Sequence, residues 1–319
     1  MSNFWKKLPK PFTALAPMDG VTDFVFREIV SEIAKPDVLF TEFTPSDAIV
    51  SKGYDRVIKN LKYSEKQRPI VAQIWGIHPI NFYKTAKIIK KLKFDGIDIN
   101  MGCPDKDVIK IGSGAALIKN KKLAKEIIEA TRKGAGALPI SVKTRIGFDE
   151  VSTHEWVSFL LEQNIDALSI HGRTAKEMSK SYANWEEIGK AVKLRDKLSP
   201  NSIIIGNGDV TTYKEALKKA EEYGVDGIMI GRGILINPWV FEKCLEPNKH
   251  LVTERLNLLL QHTKLFRDTY HNEKDFNTLK KFFKIYVSSF RGSVRLKMQL
   301  MKCKNYEEVE FLLLPYLSN

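Results

Sequence analysis

Residues 202–233 read SIIIGNGDVTTYKEALKKAEEYGVDGIMIGRG. Two short β-branched runs, SIIIGNG (202–208) and GIMIGRG (227–233), flank a helical stretch, and each ends in a Gly-x-Gly turn. Strands this apolar are buried on both faces, as in a parallel sheet covered by helices. The same unit recurs upstream, with runs FTALAPM (12–18), VLFTEF (38–43), IVAQIWG (70–76), GIDINMG (96–102), ISVKTRIG (140–147) and ALSIHGR (167–173). Between them lie amphipathic patterns such as INFYKTAKIIKKL and KLAKEIIEATRK, apolar at spacings of three and four. Eight β-α units in about 245 residues match the size and repeat of a (β/α)8 TIM barrel. An open doubly wound sheet is the competing α/β architecture. After Pro247 strand signals stop, and LVTERLNLLLQHTKLFRDTY, FNTLKKFFKIYVSSFRG and NYEEVEFLLLPYL read as helices. The expected class is therefore α/β, a TIM barrel over residues 1–247 followed by a small C-terminal helical domain over 248–319.

Polar residues gather at the C-terminal ends of these runs. They are Pro17-Met18-Asp19, Gln73, Asn100 to Cys103, Lys143 with Arg145, His171 with Arg173, Asn207-Gly208-Asp209 and Gly231-Arg232-Gly233. In a barrel those ends form one rim, where an active site lies. Glycine in the last two turns lets the backbone approach a ligand, and Thr211 begins a helix whose N-terminal amides can face an anion. Arg232 adds a charge-assisted contact, so the pair of loops marks a phosphorylated cofactor. A lysine pointing into a barrel mouth is costly to bury unless it meets an anion or an electron-rich ring, which singles out Lys143. His171, followed by Gly172-Arg173-Thr174, reads as a ligand contact rather than a core histidine. Gln73 offers an amide to a flavin ring edge. Together these residues fit FMN. Cys103, in the Gly-Pro corner of DINMGCP, is either a small hydrophobe filling a turn or a thiol presented to the pocket.

The chain carries 51 Lys and Arg against 38 Asp and Glu, a formal charge of +13 over 319 residues. That excess points to a polyanionic partner, nucleic acid or an anionic surface. From Thr278 to Lys304 there are eight Lys or Arg and no acid. Phe282, Phe283, Tyr286 and Phe290 interleave at spacings of three and four, which reads as core rather than base-stacking, so the basic residues are the better RNA contacts. Lys176, Lys180 and Tyr182, in the loop after the sixth run, are placed to meet substrate. Three widely spaced cysteines, Cys103, Cys244 and Cys303, indicate neither a disulfide framework nor a metal site. The N-terminus lacks a signal-peptide core and no apolar run reaches the roughly 18 residues of a membrane span, so a cytoplasmic protein is expected.

The stretches APMDGVTDFVFR, INMGCP, VKTRIG, IHGRT, IIGNGDV and VDGIMIGRG, in this order, resemble the signatures of the tRNA-dihydrouridine synthases. The resemblance is specific over residues 12 to about 241 and looser over the C-terminal helices, where such enzymes carry a tRNA-binding helical domain. It implies an FMN-dependent oxidoreductase that reduces the C5=C6 bond of particular uridines in tRNA to 5,6-dihydrouridine with NADPH, NADH being possible. It implies tightly bound FMN held by Pro17, Met18, Asp19, Gln73, Lys143, His171, Asn207, Gly208, Asp209, Gly231 and Arg232. Hydride would pass from flavin N5 to C6 and a proton from Cys103 to C5, with Asn100 and Arg145 against the target uracil. Such enzymes are generally monomeric. The rival readings are another FMN barrel oxidoreductase acting on a small molecule, dihydroorotate dehydrogenase-like, and an RNA-binding protein without chemistry.

Overall fold

The computed structural model describes residues 3–245, 250–271 and 273–317. Its extended segments are β1 (Phe12–Leu15), β2 (Leu39–Phe40), β3 (Thr44–Pro45), β4 (Ile70–Trp75), β5 (Gly96–Met101), β6 (Ile140–Gly147), β7 (Ala167–Thr174), β8 (Ile203–Asn207) and β9 (Gly227–Ile230). All pair in parallel, in the order β1-β9-β8-β7-β6-β5-β4-β2, with β3 alongside β4. Ala14 bridges Val38, joining the two ends of that order into a ring. The barrel is therefore the architecture, and the open sheet is set aside. The second run, 38–43, departs from expectation: only Leu39–Phe40 is strand, and β3 lies just beyond the run. Thr41 and Thr44 both turn their hydroxyls onto the carbonyl of Glu42, a local bonding that diverts the chain from the ladder.

Alternation along each strand sorts the side chains. On β5, Ile97, Ile99 and Met101 join the shell of core under the helices, which leaves Asp98 and Asn100 on the inner face. The barrel floor is apolar, with Phe12, Phe40, Val71, Ile205 and Met229 packed together and Trp5 closing the N-terminal end. Above it lies a polar layer. The helix Lys121–Ala135 shows why the shell is tight: Ala124, Ile127, Ile128 and Thr131 face inward, and Asn120 caps its start. A Cβ on Gly134 would stand 2.2 Å from the carbonyl of Tyr83, so only glycine lets this helix approach Pro79–Lys91.

The C-terminal region is helical, with Val252–Tyr270, Ser293–Leu300 and Tyr306–Leu317 as its long elements. The expected helix over 276–292 is broken instead into 3-10 turns Phe276–Thr278 and Lys280–Phe282 and a single turn Phe283–Tyr286. Arg255 takes the carbonyls of Ile285 and Ser288 and the Ser288 hydroxyl, withdrawing acceptors a continuing helix would need. Phe282, Phe283 and Tyr286 are buried, as core residues. Phe282 stacks on Phe26 of the barrel helix Phe24–Ile33 at 4.8 Å, and His262 Nδ1 meets the Tyr286 hydroxyl at 2.9 Å. One packed cluster thus runs from barrel shell into these helices. Lys274 pairs with Asp23 at 2.5 Å, and Lys281 donates to the carbonyl of Gly20. The expected boundary at 247/248 lies outside the described residues. Among the described residues no helix is long and apolar enough to cross a membrane, and no cluster of His, Cys, Asp or Glu is placed to hold a metal.

Candidate active site

A cavity of about 560 Å³ opens at the C-terminal end of the barrel. Pro17, Met18, Gln73, Asn100, Cys103, Lys143, Arg145, His171, Asn207, Gly208, Asp209, Gly231 and Arg232 all line it. Asp19, expected among them, does not. The carbonyl of Met18 accepts from the amides of Val21 and Thr22, a turn that carries Asp19 out to solvent. Arg173 and, from the C-terminal region, Lys284 also reach the cavity.

On the β4–β6 side the wall is a chain of oriented hydrogen bonds. Asp98, fully buried, accepts from Ser141 Oγ at 2.6 Å and from Gln73 Nε2 at 2.7 Å. Gln73 Oε1 accepts from Asn100 Nδ2 at 3.1 Å. Asn100 Oδ1 accepts from the amides of Gly102 and Cys103 at 3.1 and 3.0 Å. The Cys103 carbonyl in turn takes the amide of Ala115. A Cβ on Gly114, at φ +59, would lie 2.8 Å from that carbonyl, so the thiol loop rests directly on glycine. Burial pushes the Cys103 thiol up, and the nearby Asp105 carboxylate adds to this, against the opposing pull of the Asp105 amide, Arg145 and Lys143. At neutral pH the group is a thiol, not a thiolate.

Arg145, expected against substrate, first serves as a clamp. Its Nε donates to the Gly102 carbonyl at 2.8 Å, and Nη1 donates to the carbonyls of Thr174 and Met178 at 2.9 and 3.0 Å. It ties the thiol loop to the loop after β7 while one edge still faces the cavity. Burial lowers its pKa to about 10, with Cys103 opposing, so it stays charged. Lys143 is pushed down to about 8 by burial and then by Arg145, with Asp98 and Cys103 opposing. Its Nζ reaches Asn207 Oδ1 at 3.4 Å, and Asn207 Nδ2 holds the carbonyl of Met229.

The β7–β9 side is built around Arg173, which the sequence presents only as a strand-end residue. Its guanidinium grips both oxygens of Asp209 at 2.7 and 2.6 Å, donates to the Ser181 carbonyl and meets His171 Nε2 at 2.9 Å. A guanidinium can only donate, so His171 Nε2 is the acceptor and Nδ1 carries the proton. Burial, then Lys143, Arg145, Arg173 and Arg232, hold His171 well below its ordinary value and therefore neutral. Asp209 also accepts from the Ala183 amide at 2.7 Å. Although partial burial opposes it, these bonds keep the carboxyl below its usual range. The Asp209 side chain is thus spent within the protein, and what the turn offers a ligand is backbone, at φ +53. Gly208, at φ +134, would place a Cβ 2.5 Å from that of Ala183.

Thr211 does not offer the free anion-binding amide expected of it. The helix starts at Tyr213 behind a Thr212 cap, and the Thr211 amide and hydroxyl both meet Glu215. The attraction of the pocket for anions rests on other groups. Lys143, Arg145, Arg173, Arg232 and Lys284 line it against one carboxylate, Asp209, already engaged by Arg173. An anionic, ring-bearing ligand fits this wall in charge and in size. The sequence signal that would have found Asp98 is an acid two residues before Asn100 in an apolar strand, on the same inward face.

The family model described as Dihydrouridine synthase (Dus) matches residues 14–318. A "Probable tRNA-dihydrouridine synthase" of Staphylococcus aureus (strain MRSA252) is 48% identical over 314 residues, covering 98% of this chain and 94% of the relative. A "Probable tRNA-dihydrouridine synthase 2" of Bacillus subtilis (strain 168) is 48% identical over 315 residues, covering 98% and 95%. Among solved structures, morphinone reductase superposes with a TM-score of 0.51 at 12% identity, covering 75% of this chain and 88% of that one. Histamine dehydrogenase from Rhizobium sp. 4-9 does so with 0.55 at 15% identity, covering 79% and 48%. These two likenesses speak for the barrel alone.

Proposed function

The chain belongs to the dihydrouridine synthase family, and from that premise we propose that it reduces the C5=C6 bond of uridines in tRNA to 5,6-dihydrouridine, with FMN in the barrel mouth and NADPH as reductant. The observation that carries the reading is the Cys103 thiol on the wall of a cavity that Lys143, Arg145, Arg173, Arg232 and Lys284 also line, with burial keeping it protonated. FMN, when bound, supplies the hydride for C6 of the uracil. Cys103 delivers the proton to C5; a thiol raised above its ordinary value still carries that proton at neutral pH, where an ordinary carboxyl would not. Lys143 and the open edge of Arg145 stabilise negative charge developing on the uracil carbonyl, in the manner of an oxyanion hole. Asn100 gives its free amide N–H to the same base. Pro17, Met18, Gln73, Lys143, the Asn207-Gly208-Asp209 turn, Gly231, Arg232 and the Nδ1–H of His171 hold the cofactor.

Residues 1–247 form the catalytic domain and 248–319 the tRNA-binding domain of this reading. Lys280, Lys281, Lys284, Lys297 and Lys302 surround a shallow hollow of about 590 Å³ floored by Met298 and Met301, with no acid on its lining. Lys284 belongs to both hollow and mouth, so a phosphate backbone lying in the hollow leads toward the site. The whole constellation sits on one chain, so a monomer in the cytoplasm suffices. The small-molecule reading is set aside because the family match extends over the C-terminal helices, which such a reaction does not need.

The test is direct. Unmodified tRNA is incubated with the FMN-loaded protein and NADPH, in parallel with NADH, and its nucleosides are analysed by mass. Dihydrouridine with NADPH above that with NADH is expected. No dihydrouridine with either reductant refutes the function, and equal rates refute the choice of reductant.

A further inference from the structure

Asp98 touches no cavity surface, and no step of the reaction uses it. Yet it stands at the root of the hydrogen-bond chain that ends on the thiol loop, on the barrel's inner face between β4 and β6. An ionised carboxylate only accepts. It therefore selects Nε2 of Gln73, which leaves Oε1 for Asn100; Asn100 must answer with Nδ2, which leaves Oδ1 for the two amides of Gly102 and Cys103. Reversing Asn100 would set its side-chain N–H against the two backbone N–H groups of the thiol loop and leave them unpaired; reversing Gln73 alone would set its N–H against that of Asn100 and its oxygen against the carboxylate. We propose that Asp98 is a positioning residue, whose charge sets the polarity of both mouth carboxamides and, through Asn100, holds the Cys103 loop in place. The same polarity leaves one N–H on Gln73 and one on Asn100 beyond those bonds, so both amides present donors to carbonyl oxygens of bound rings.

The corollary is a dependence on Asp98's protonation. Burial pushes this carboxyl up to about 6, against the Ser141 and Gln73 bonds and Lys143. Lys143 on β6 is the charged group that faces it, and Ser141 and Gln73, from the strands on either side, are neutral. Lys143 stays protonated below about pH 8, while Cys103 stays a thiol and His171 neutral, so Asp98 is the group in this wall that changes state in mildly acid solution. A neutral acid carries both a donor and an acceptor and no longer chooses between the two amide orientations.

This inference rests on Cys103 and the two carboxamides being the working groups of the mouth, but its readout is not activity. Hydrogen exchange by mass spectrometry on the full chain reports the Gly102 and Cys103 amides directly. Asp98→Asn is expected to lower their protection about tenfold, with the helices Lys121–Ala135 and Val252–Tyr270 unchanged. Protection within twofold of the parent overturns the proposal. Should the variant not fold, the parent chain answers. Its protection at these two amides, corrected for intrinsic rates, should fall between about pH 7.5 and about pH 5 with the helices steady. A flat profile overturns it. A chain that passes these tests yet makes no dihydrouridine would sink the proposed function and leave Asp98's positioning role standing.

Discussion

The barrel mouth and the lysine hollow are both cationic, and they are built in opposite ways. In the mouth the inner charges are held: Arg145 by three backbone carbonyls, Arg173 by Asp209, Ser181 and His171, Lys143 by Asn207. In the hollow, Lys297 on the helix Ser293–Leu300 and Lys302 in the turn after it stand beside exposed Met298 and Met301. The difference follows from what each must recognise. Placing a proton and stabilising one developing charge needs donors fixed to a few tenths of an ångström in a site where water competes little. A phosphate backbone needs charge density alone, because its affinity comes from released counterions. The two regions share one hydrophobic cluster through Phe26 and Phe282, so cutting the chain near residue 248 would strip core from the barrel. Point changes separate them cleanly.

The largest effect is expected in the mouth. Cys103→Ala should lower turnover of tRNA uridines by about a hundredfold or more, the scale of a lost general acid, while FMN affinity by fluorescence titration stays within about twofold. Normal turnover would mean that another group protonates C5. Next comes the hollow. Lys297→Glu with Lys302→Glu should weaken tRNA binding about tenfold and make the log–log salt slope less steep by about 2, with turnover at saturating tRNA unchanged. A loss of turnover instead of affinity would break the division between the regions.

A comparable but pH-gated effect should mark Lys143. Its ammonium loses charge as pH rises through about 8, so FMN affinity should fall by up to about tenfold toward alkaline pH. Lys143→Arg, which stays charged, should flatten that limb of the titration; an unchanged limb would assign it to another group. The smallest effect sharpens the contrast. Lys297→Arg should leave tRNA affinity within about twofold, because a solvated point charge is interchangeable there. A tenfold change would show that the hollow too reads geometry.

Legibility in the sequence tracked how local each signal is. The strand ends of IVAQIWG, GIDINMG and ISVKTRIG placed Gln73, Asn100, Cys103, Lys143 and Arg145 on one rim, and the cavity brings them together. Spacing also marked Phe282, Phe283 and Tyr286 as core, and they are buried. What spacing left out are the partners. Asp98 and Arg173 gain their roles from groups 25 and 36 residues away in the chain, Gln73 and Asp209. Asp19 was misplaced because a turn at Met18 points it outward, and the expected helix over 276–292 was broken by Arg255, which comes from another element.

Taken alone, the order of residues determined the barrel, its polar rim and its cationic surplus, because strand alternation, helical spacing and glycine turns are properties of a few neighbouring residues. Tertiary structure decided which of those polar groups hold each other and which face the ligand. Hydrogen-bond polarity passes from Asp98 to Cys103 only once β4, β5 and β6 lie side by side, and the His171 tautomer is set only once Arg173 reaches it. Donor and acceptor roles depend on a partner across space, and no local pattern carries them.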